Sequence, residues 1–159
     1  MNKNTPGHKY YRSEEIMAKD LSIILAHPDI SLKMKKDVVN SVLWKWTERF
    51  GKYEGCRGSY AAHKHYRLHG YKDLRHDHAI PRNVLAKMFL EKQPPLSAVK
   101  VLKLLRKFCD AVVITKKEDK SFGKIGLRQK MPKGWNWTKN PYARYKAVGI
   151  KVSKDNLSK

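Results

Sequence analysis

The chain has little cysteine, has few acidic residues and lacks any long apolar run. Its 159 residues include two cysteines, Cys56 and Cys109, and no Cys-x-x-Cys pair. This excludes a cysteine-rich structural zinc site and predicts two buried, reduced thiols. No apolar run approaches the roughly 20 residues that a transmembrane helix needs, and the N-terminus shows no signal-peptide pattern. These absences predict a cytoplasmic protein without a membrane-spanning segment.

The shortage of acidic residues gives the chain a strong positive charge. Lysine and arginine together number 35, whereas aspartate and glutamate number 14, so the formal net charge is +21. Because the basic residues are spread along the whole chain, they predict a folded basic surface rather than a tethering tail. Nucleic acid, either DNA or RNA, is the partner that such a surface favours, and an acidic membrane surface is the runner-up.

The length and the apolar content are those of one folded domain. Hydrophobic residues make up 41% of the chain, which is enough for a core of its own. We predict a flexible basic arm at residues 1–12, a single domain at 13–150 and a polar tail at 151–159. No internal repeat is visible in the sequence.

Apolar residues recur at helical spacing in most of the chain, which predicts a mostly helical α+β domain. Serines and prolines mark several helix boundaries. The predicted helices run from Ser13 to His27, from Asp29 or Ser31 to Phe50, from Ser59 to Gly70, from Asn83 to Lys92, from Ser97 to Phe108 and over 116–122, and a short helix begins at Pro141. The glycine-containing segment 51–58 is predicted to be a loop.

Two short segments, 74–79 and 111–115, are predicted to be strands that pair with each other. Side chains alternate faces along a strand, so His76 and His78 would point to one side and Asp77 to the other. Pro81 ends the first strand and suits the first turn of the helix that follows. Any chemistry of these residues would therefore lie at the rim between a strand and a helix.

The segment Asp77-His78-Ala79-Ile80-Pro81 resembles the first motif of HNH (His-Me finger) nucleases, which reads Asp-His-aliphatic-aliphatic-Pro. In that family the aspartate binds a divalent metal ion and the histidine is the general base. The resemblance therefore implies phosphodiester hydrolysis, with Asp77 as a ligand of Mg²⁺ or Mn²⁺ and His78 as the base.

His-Me fingers consist of a β-hairpin and a helix that supplies the last metal ligand. The resemblance implies a small two-stranded antiparallel element of 74–79 and 111–115, with Glu118 or Asp119 on the helix over 116–122 completing the metal site. The chain departs from the family pattern in two ways. A segment with two predicted helices separates the strands, and no Asn-then-His tail follows.

Further residues are predicted to contact the substrate. Arg82 and His76, beside the motif, are expected to position or neutralise the phosphate. Other basic residues would neutralise phosphates, and aromatic rings would stack on bases or pack on sugars. The predicted nucleic-acid-binding residues are Lys52, Arg57, Lys64, Arg67, Arg75, Arg128, Lys130, Trp135, Arg144 and Tyr145.

Two other functions fit the sequence. A non-catalytic DNA-binding or RNA-binding protein would explain everything except the Asp-His-x-Ile-Pro motif. A metal-free, toxin-like ribonuclease would use His76 or His78 together with Arg144 and Tyr145. Sensitivity of cleavage to EDTA separates the metal-dependent enzyme from the metal-free one.

Overall fold

Two capped helices begin the part of the chain that the structure, a computed structural model, describes: residues 13–92 and 94–157. Helix α1 spans Glu14–Ala26 and helix α2 spans Leu32–Thr47. The Ser13 hydroxyl accepts a hydrogen bond from the Ile16 amide, and the Ser31 hydroxyl accepts one from Met34. These caps satisfy amides that the first turn leaves unpaired. The predicted arm at 1–12 lies outside the described residues.

Five further helices follow at or near the predicted positions. Gly70, with a φ of +59°, ends the helix that Ser59 caps, because glycine accepts the left-handed backbone region at little cost. The helices are α3 (Tyr60–His69), α4 (Arg82–Leu90), α5 (Ala98–Phe108), α6 (Lys116–Lys124) and α7 (Ala143–Ala147). Among the described residues, no helix is both long and apolar enough to cross a membrane.

Four strands form one mixed sheet in the order β2-β3-β1-β4. The strands are β1 (Arg57–Ser59), β2 (Leu74–His78), β3 (Ala111–Thr115) and β4 (Val152–Asn156). Strand β3 pairs antiparallel with β2 and parallel with β1, and β1 pairs antiparallel with β4. The domain is therefore α+β, as predicted, and its β2–β3 pairing is antiparallel. The predicted two-stranded element is too small, since β1 and β4 extend it.

The two added strands lie where the sequence predicted a loop and a tail. Strand β1 ends the glycine-containing segment 51–58 and is three residues long, too short to show an alternating pattern. The prediction of a polar tail at 151–159 is wrong for 152–157. Strand β4 is an edge strand in which Lys154 and Asp155 face solvent and Ser153 is buried. Directly after it, Leu157, 2% exposed, packs under the sheet. Residues 158–159 lie outside the described part.

Apolar side chains of β3 alternate between the two faces of the sheet. Ala111 and Val113 pack on one face with Ala62 of α3, whereas Val112 and Ile114 pack on the other with Phe122 of α6. A separate apolar core joins α1, α2, α4 and α5. Strand β2 lies at the edge of the sheet, and α2 and α4 contact each other. The Asp-His segment thus lies between the sheet and the helical layer.

Candidate functional site

The side chains of β2 alternate as the sequence predicted. The imidazole rings of His76 and His78 lie 5.3 Å apart, and both contact the indole of Trp44 on α2 at 5.5 and 5.8 Å. The Asp77 carboxylate lies on the opposite face, where it meets Arg144 and Tyr145 of α7. The three consecutive polar side chains therefore lie in two different environments.

His78 is packed into the protein. It is 5% exposed, and its Nε2 lies 3.2 Å from Thr47 Oγ1 and 3.4 Å from the Leu43 carbonyl oxygen. Burial lowers the pKa of His78 to about 3, because an apolar environment disfavours imidazolium. These contacts hold the His78 imidazole in place through Nε2.

His76 has a different environment, although it lies only two residues away. Both of its ring nitrogens are buried, and neither meets hydrogen-bond geometry with a partner among the described residues, although the Thr47 backbone lies close enough to favour imidazolium. Burial, with the charges of Lys52 and Arg82, lowers the pKa of His76 to about 4. Buried polar atoms without a partner cost free energy, and in native proteins they often mark a functional group.

A polar pocket of about 270 Å³ opens beside the two imidazoles. The Arg82 guanidinium lies 4.6 Å above the Trp44 ring and covers it from the pocket side of α4. All three residues predicted to be catalytic, His76, His78 and Arg82, line this pocket together with Asn40, Trp44, Asp77, Pro81, Asn83, Arg128 and Gln129. The pocket thus combines two guanidinium groups, two imidazoles, three carboxamides and an indole.

Asp77 is held by a buried arginine. Arg144 is 1% exposed, and its Nη2 donates to Asp77 Oδ2 at 2.6 Å, while Tyr145 Oη donates to the same oxygen at 2.6 Å. Arg144 also donates to the carbonyl oxygens of Ala79, Leu127 and Arg128. Arg144 and Tyr145, which were predicted to bind nucleic acid, have side chains buried in these structural contacts.

The two predicted second carboxylates contact other groups, although burial and, to a smaller extent, the charge of Asp119 raise the pKa of Asp77. Glu118 Oε2 accepts hydrogen bonds from Ser59 Oγ at 2.7 Å and from the Thr115 amide at 2.8 Å, so Glu118 caps α6 and ties it to the neighbouring strand. Asp119 lies 4.0 Å from Arg128 Nη2. Within 13–92 and 94–157, no three His, Cys, Asp or Glu side chains are grouped so that they could hold a metal ion.

The contacts of Asp77 and Glu118 do not fit the metal site that the resemblance implies. The Asp77 carboxylate already has a cationic partner, and a divalent ion beside it would meet the charge of Arg144 at close range. Glu118 is engaged in a capping box with Thr115. Both acidic residues have structural roles in the described arrangement.

The remaining predicted nucleic-acid-binding residues divide into two groups. Trp135 is half-buried, donates from Nε1 to the Asn140 carbonyl oxygen and packs on Trp137, which contacts Phe108. Its ring therefore anchors the loop to the helical core. The basic residues are all exposed: Lys52, Arg57, Lys64, Arg67, Arg75, Arg128 and Lys130.

Sequence reasoning missed several residues of the pocket. Trp44 is the most notable of these residues. It lies off the apolar stripe of α2, so packing into the helical core does not explain an aromatic side chain at this position. Asn83 donates from Nδ2 to the Gln129 carbonyl oxygen and so joins α4 to the loop that carries Arg128. Nothing local in the sequence marks Asn40, Asn83 or Gln129 as neighbours.

No protein-family model, curated protein or solved structure matches the chain.

Proposed function

We propose that the protein binds nucleic acid and cleaves phosphodiester bonds in the pocket beside His76. The observation that carries this proposal is the pair of buried ring nitrogens of His76, which have no hydrogen-bond partner in the described chain and border a pocket with Arg82 and Arg128. The net charge of +21 supports the choice of a polyanionic substrate.

The residues of the pocket support a simple division of labour. Arg82 and Arg128 bind the phosphate and stabilise the charge that develops on it. His76 accepts the proton of the attacking water or sugar hydroxyl as the new P–O bond forms and the P–O bond to the departing strand breaks, and solvent protonates the oxygen that leaves. A bound phosphate raises the pKa of His76 from about 4 towards neutrality, because its negative charge favours imidazolium.

Access to His76 depends on Arg82 in this proposal. In the free protein the Arg82 guanidinium covers Trp44, and Trp44 contacts the His76 ring. A phosphate bound at Arg128 lies beside the imidazole while Arg82 keeps its place on the indole. Cleavage and phosphate binding are therefore coupled at the N-terminus of α4.

A non-catalytic nucleic-acid-binding protein is the second candidate. It is favoured by the structural engagement of Asp77 with Arg144, which removes the residue that the HNH resemblance assigns to the metal. The seven exposed lysine and arginine residues named above would carry such binding without any chemistry.

The purified full chain, incubated with end-labelled RNA and DNA strands and with their duplexes, tests these functions. We expect cleavage that persists in EDTA, and binding that weakens by orders of magnitude between about 50 and 200 mM salt. Cleavage lost in EDTA and restored by Mg²⁺ would instead favour the metal-dependent HNH mechanism. Salt-dependent binding without cleavage would identify the second candidate, and absence of binding at low salt would contradict both.

A further inference from the structure

The pocket is lined by more kinds of side chain than are needed to bind a phosphate. A phosphate needs cations and amide donors, and Arg82 and Arg128 already supply the charge. The other walls carry an indole and the carboxamides of Asn40, Asn83 and Gln129. Carboxamides and flat side chains are the groups that recognise the edges and faces of nucleobases.

A row of planar side chains leads from β2 to the pocket. The His76 ring lies 5.5 Å from the Trp44 ring, tilted by 57°, and the Arg82 guanidinium lies over Trp44 at 4.6 Å from its centroid. Arg82 is half-buried and belongs to the pocket lining. A nucleobase in the pocket can lie on the guanidinium plane, as bases do on arginine in RNA complexes.

The depth of the imidazole restricts the form of the substrate. Both ring nitrogens of His76 are buried, and its ring contacts Trp44, over which Arg82 lies. The backbone of a regular duplex is held on a rigid cylinder with its bases stacked inside, so its phosphates cannot enter a recess together with a base. An unpaired nucleotide can turn inward, because only backbone torsions and partial unstacking oppose the movement.

We propose that this pocket binds one unpaired nucleotide, with its base on Arg82 and its phosphate towards Arg128, so that the substrate is single-stranded nucleic acid. The proposal rests on the proposed function and names its substrate class. The exposed basic residues outside the pocket hold the flanking phosphates without regard to sequence. RNA and DNA strands share the chemistry that the pocket recognises.

Fluorescence anisotropy with three probes of equal length tests the proposal: a single strand of mixed sequence, its duplex, and an abasic strand that keeps the phosphates. We expect the full chain to bind the single strand about tenfold or more tighter than the abasic strand at one salt concentration, since stacking on a base supplies this much. The duplex should also bind more weakly than the single strand. RNA and DNA versions of each probe show which sugar the pocket prefers.

Two matched substitutions test whether the preference for strands with bases depends on the planar group of Arg82. Arg82→Lys keeps the charge and removes the planar group, so it should abolish the preference for the strand with bases. Arg106→Lys makes the same change at an exposed position of α5, outside the predicted binding residues, and should leave the preference intact. The abasic comparison uses the unaltered protein, so the test holds even if a variant is unstable.

The outcomes separate this inference from the function on which it rests. Equal affinity for the abasic strand and the strand with bases would overturn the unpaired-nucleotide site while leaving nucleic-acid binding in place. A preference for bases that survives Arg82→Lys would also overturn the assignment to Arg82. Failure to bind any of the three probes at low salt would overturn the proposed function itself.

Discussion

Arg144 Nη2 and Asp77 Oδ2 lie 2.6 Å apart, and this buried contact fixes the strand that carries His76 to the loop that carries Arg128. The same guanidinium donates to the backbone carbonyl oxygens of Leu127 and Arg128. One arginine therefore sets the distance between the imidazole side and the cationic side of the pocket. The Asp-His motif contributes to the site through this packing.

Asp77→Asn should lower the free energy of unfolding by about 3 kcal/mol or more, because it leaves the buried guanidinium of Arg144 without its anion. Urea denaturation followed by circular dichroism measures the change. Asp119→Asn is the matched control, since Asp119 lies 4.0 Å from the exposed Arg128, and it should cost less than about 1 kcal/mol. Equal effects of the two substitutions would show that the Asp77–Arg144 contact is not structural.

Acid should weaken the fold through the two histidines of β2. Burial lowers the pKa of His78 to about 3 and that of His76 to about 4, whereas both titrate near 6.5 when unfolded. Between the folded and unfolded pKa values, the unfolded chain binds protons that the folded chain does not. The contribution of the two histidines to the free energy of unfolding therefore falls as the pH drops below about 6.5 and is constant above it. Each histidine contributes at most about 1.4 kcal/mol per pH unit.

His78→Gln isolates the contribution of His78 to this acid sensitivity. Unfolding free energies from urea titrations at neutral and acidic pH should show a smaller loss in the variant than in the wild type, by about one bound proton. The other histidines are present in both proteins, so the difference reports His78 together with its electrostatic coupling to His76. An identical loss in both proteins would mean that the His78 imidazole accepts a proton in the folded state.

Leu157→Ala should lower the free energy of unfolding by about 2–5 kcal/mol, although the sequence predicts a polar tail for the segment that contains Leu157. The side chain is 2% exposed and packs with Cys56 and Ala62 below the sheet, so its removal leaves a cavity. Lys154→Ala, at an exposed position of β4 just before Leu157, should change the free energy of unfolding by less than about 0.5 kcal/mol. Similar thermal melting of the two variants would contradict the assignment of β4.

Local signals in the sequence account for most of the helices and for the pair β2–β3. Ser13, Ser31 and Ser59 cap helices as their side chains predict, and the β-branched run of β3 is a buried strand. Strands β1 and β4 were not predicted, because β1 is short and β4 is polar on its solvent face. Their pairing is a long-range property that neither segment encodes by itself.

The sequence predicted the histidine side of the candidate site but not the contacts of Asp77 on the other face of β2. The alternation of a strand places His76 and His78 together, and Pro81 brings Arg82 beside them. The role of Arg144 was not predictable, because a surface arginine and a buried arginine look alike in a sequence. The partner of Asp77 lies 67 residues away, and only the folded chain brings the two together.

The cleavage rates of His76→Ala and His78→Ala, measured on the same labelled single strand, test the central claim most directly. We predict that His76→Ala lowers the rate by about 10²–10⁴-fold with unchanged thermal melting and nucleic-acid affinity. His78→Ala should lower stability, through loss of its contact with Thr47, yet retain cleavage per folded molecule. Wild-type cleavage by His76→Ala, or selective loss of cleavage in folded His78→Ala, would contradict the account and return the role of the base to His78.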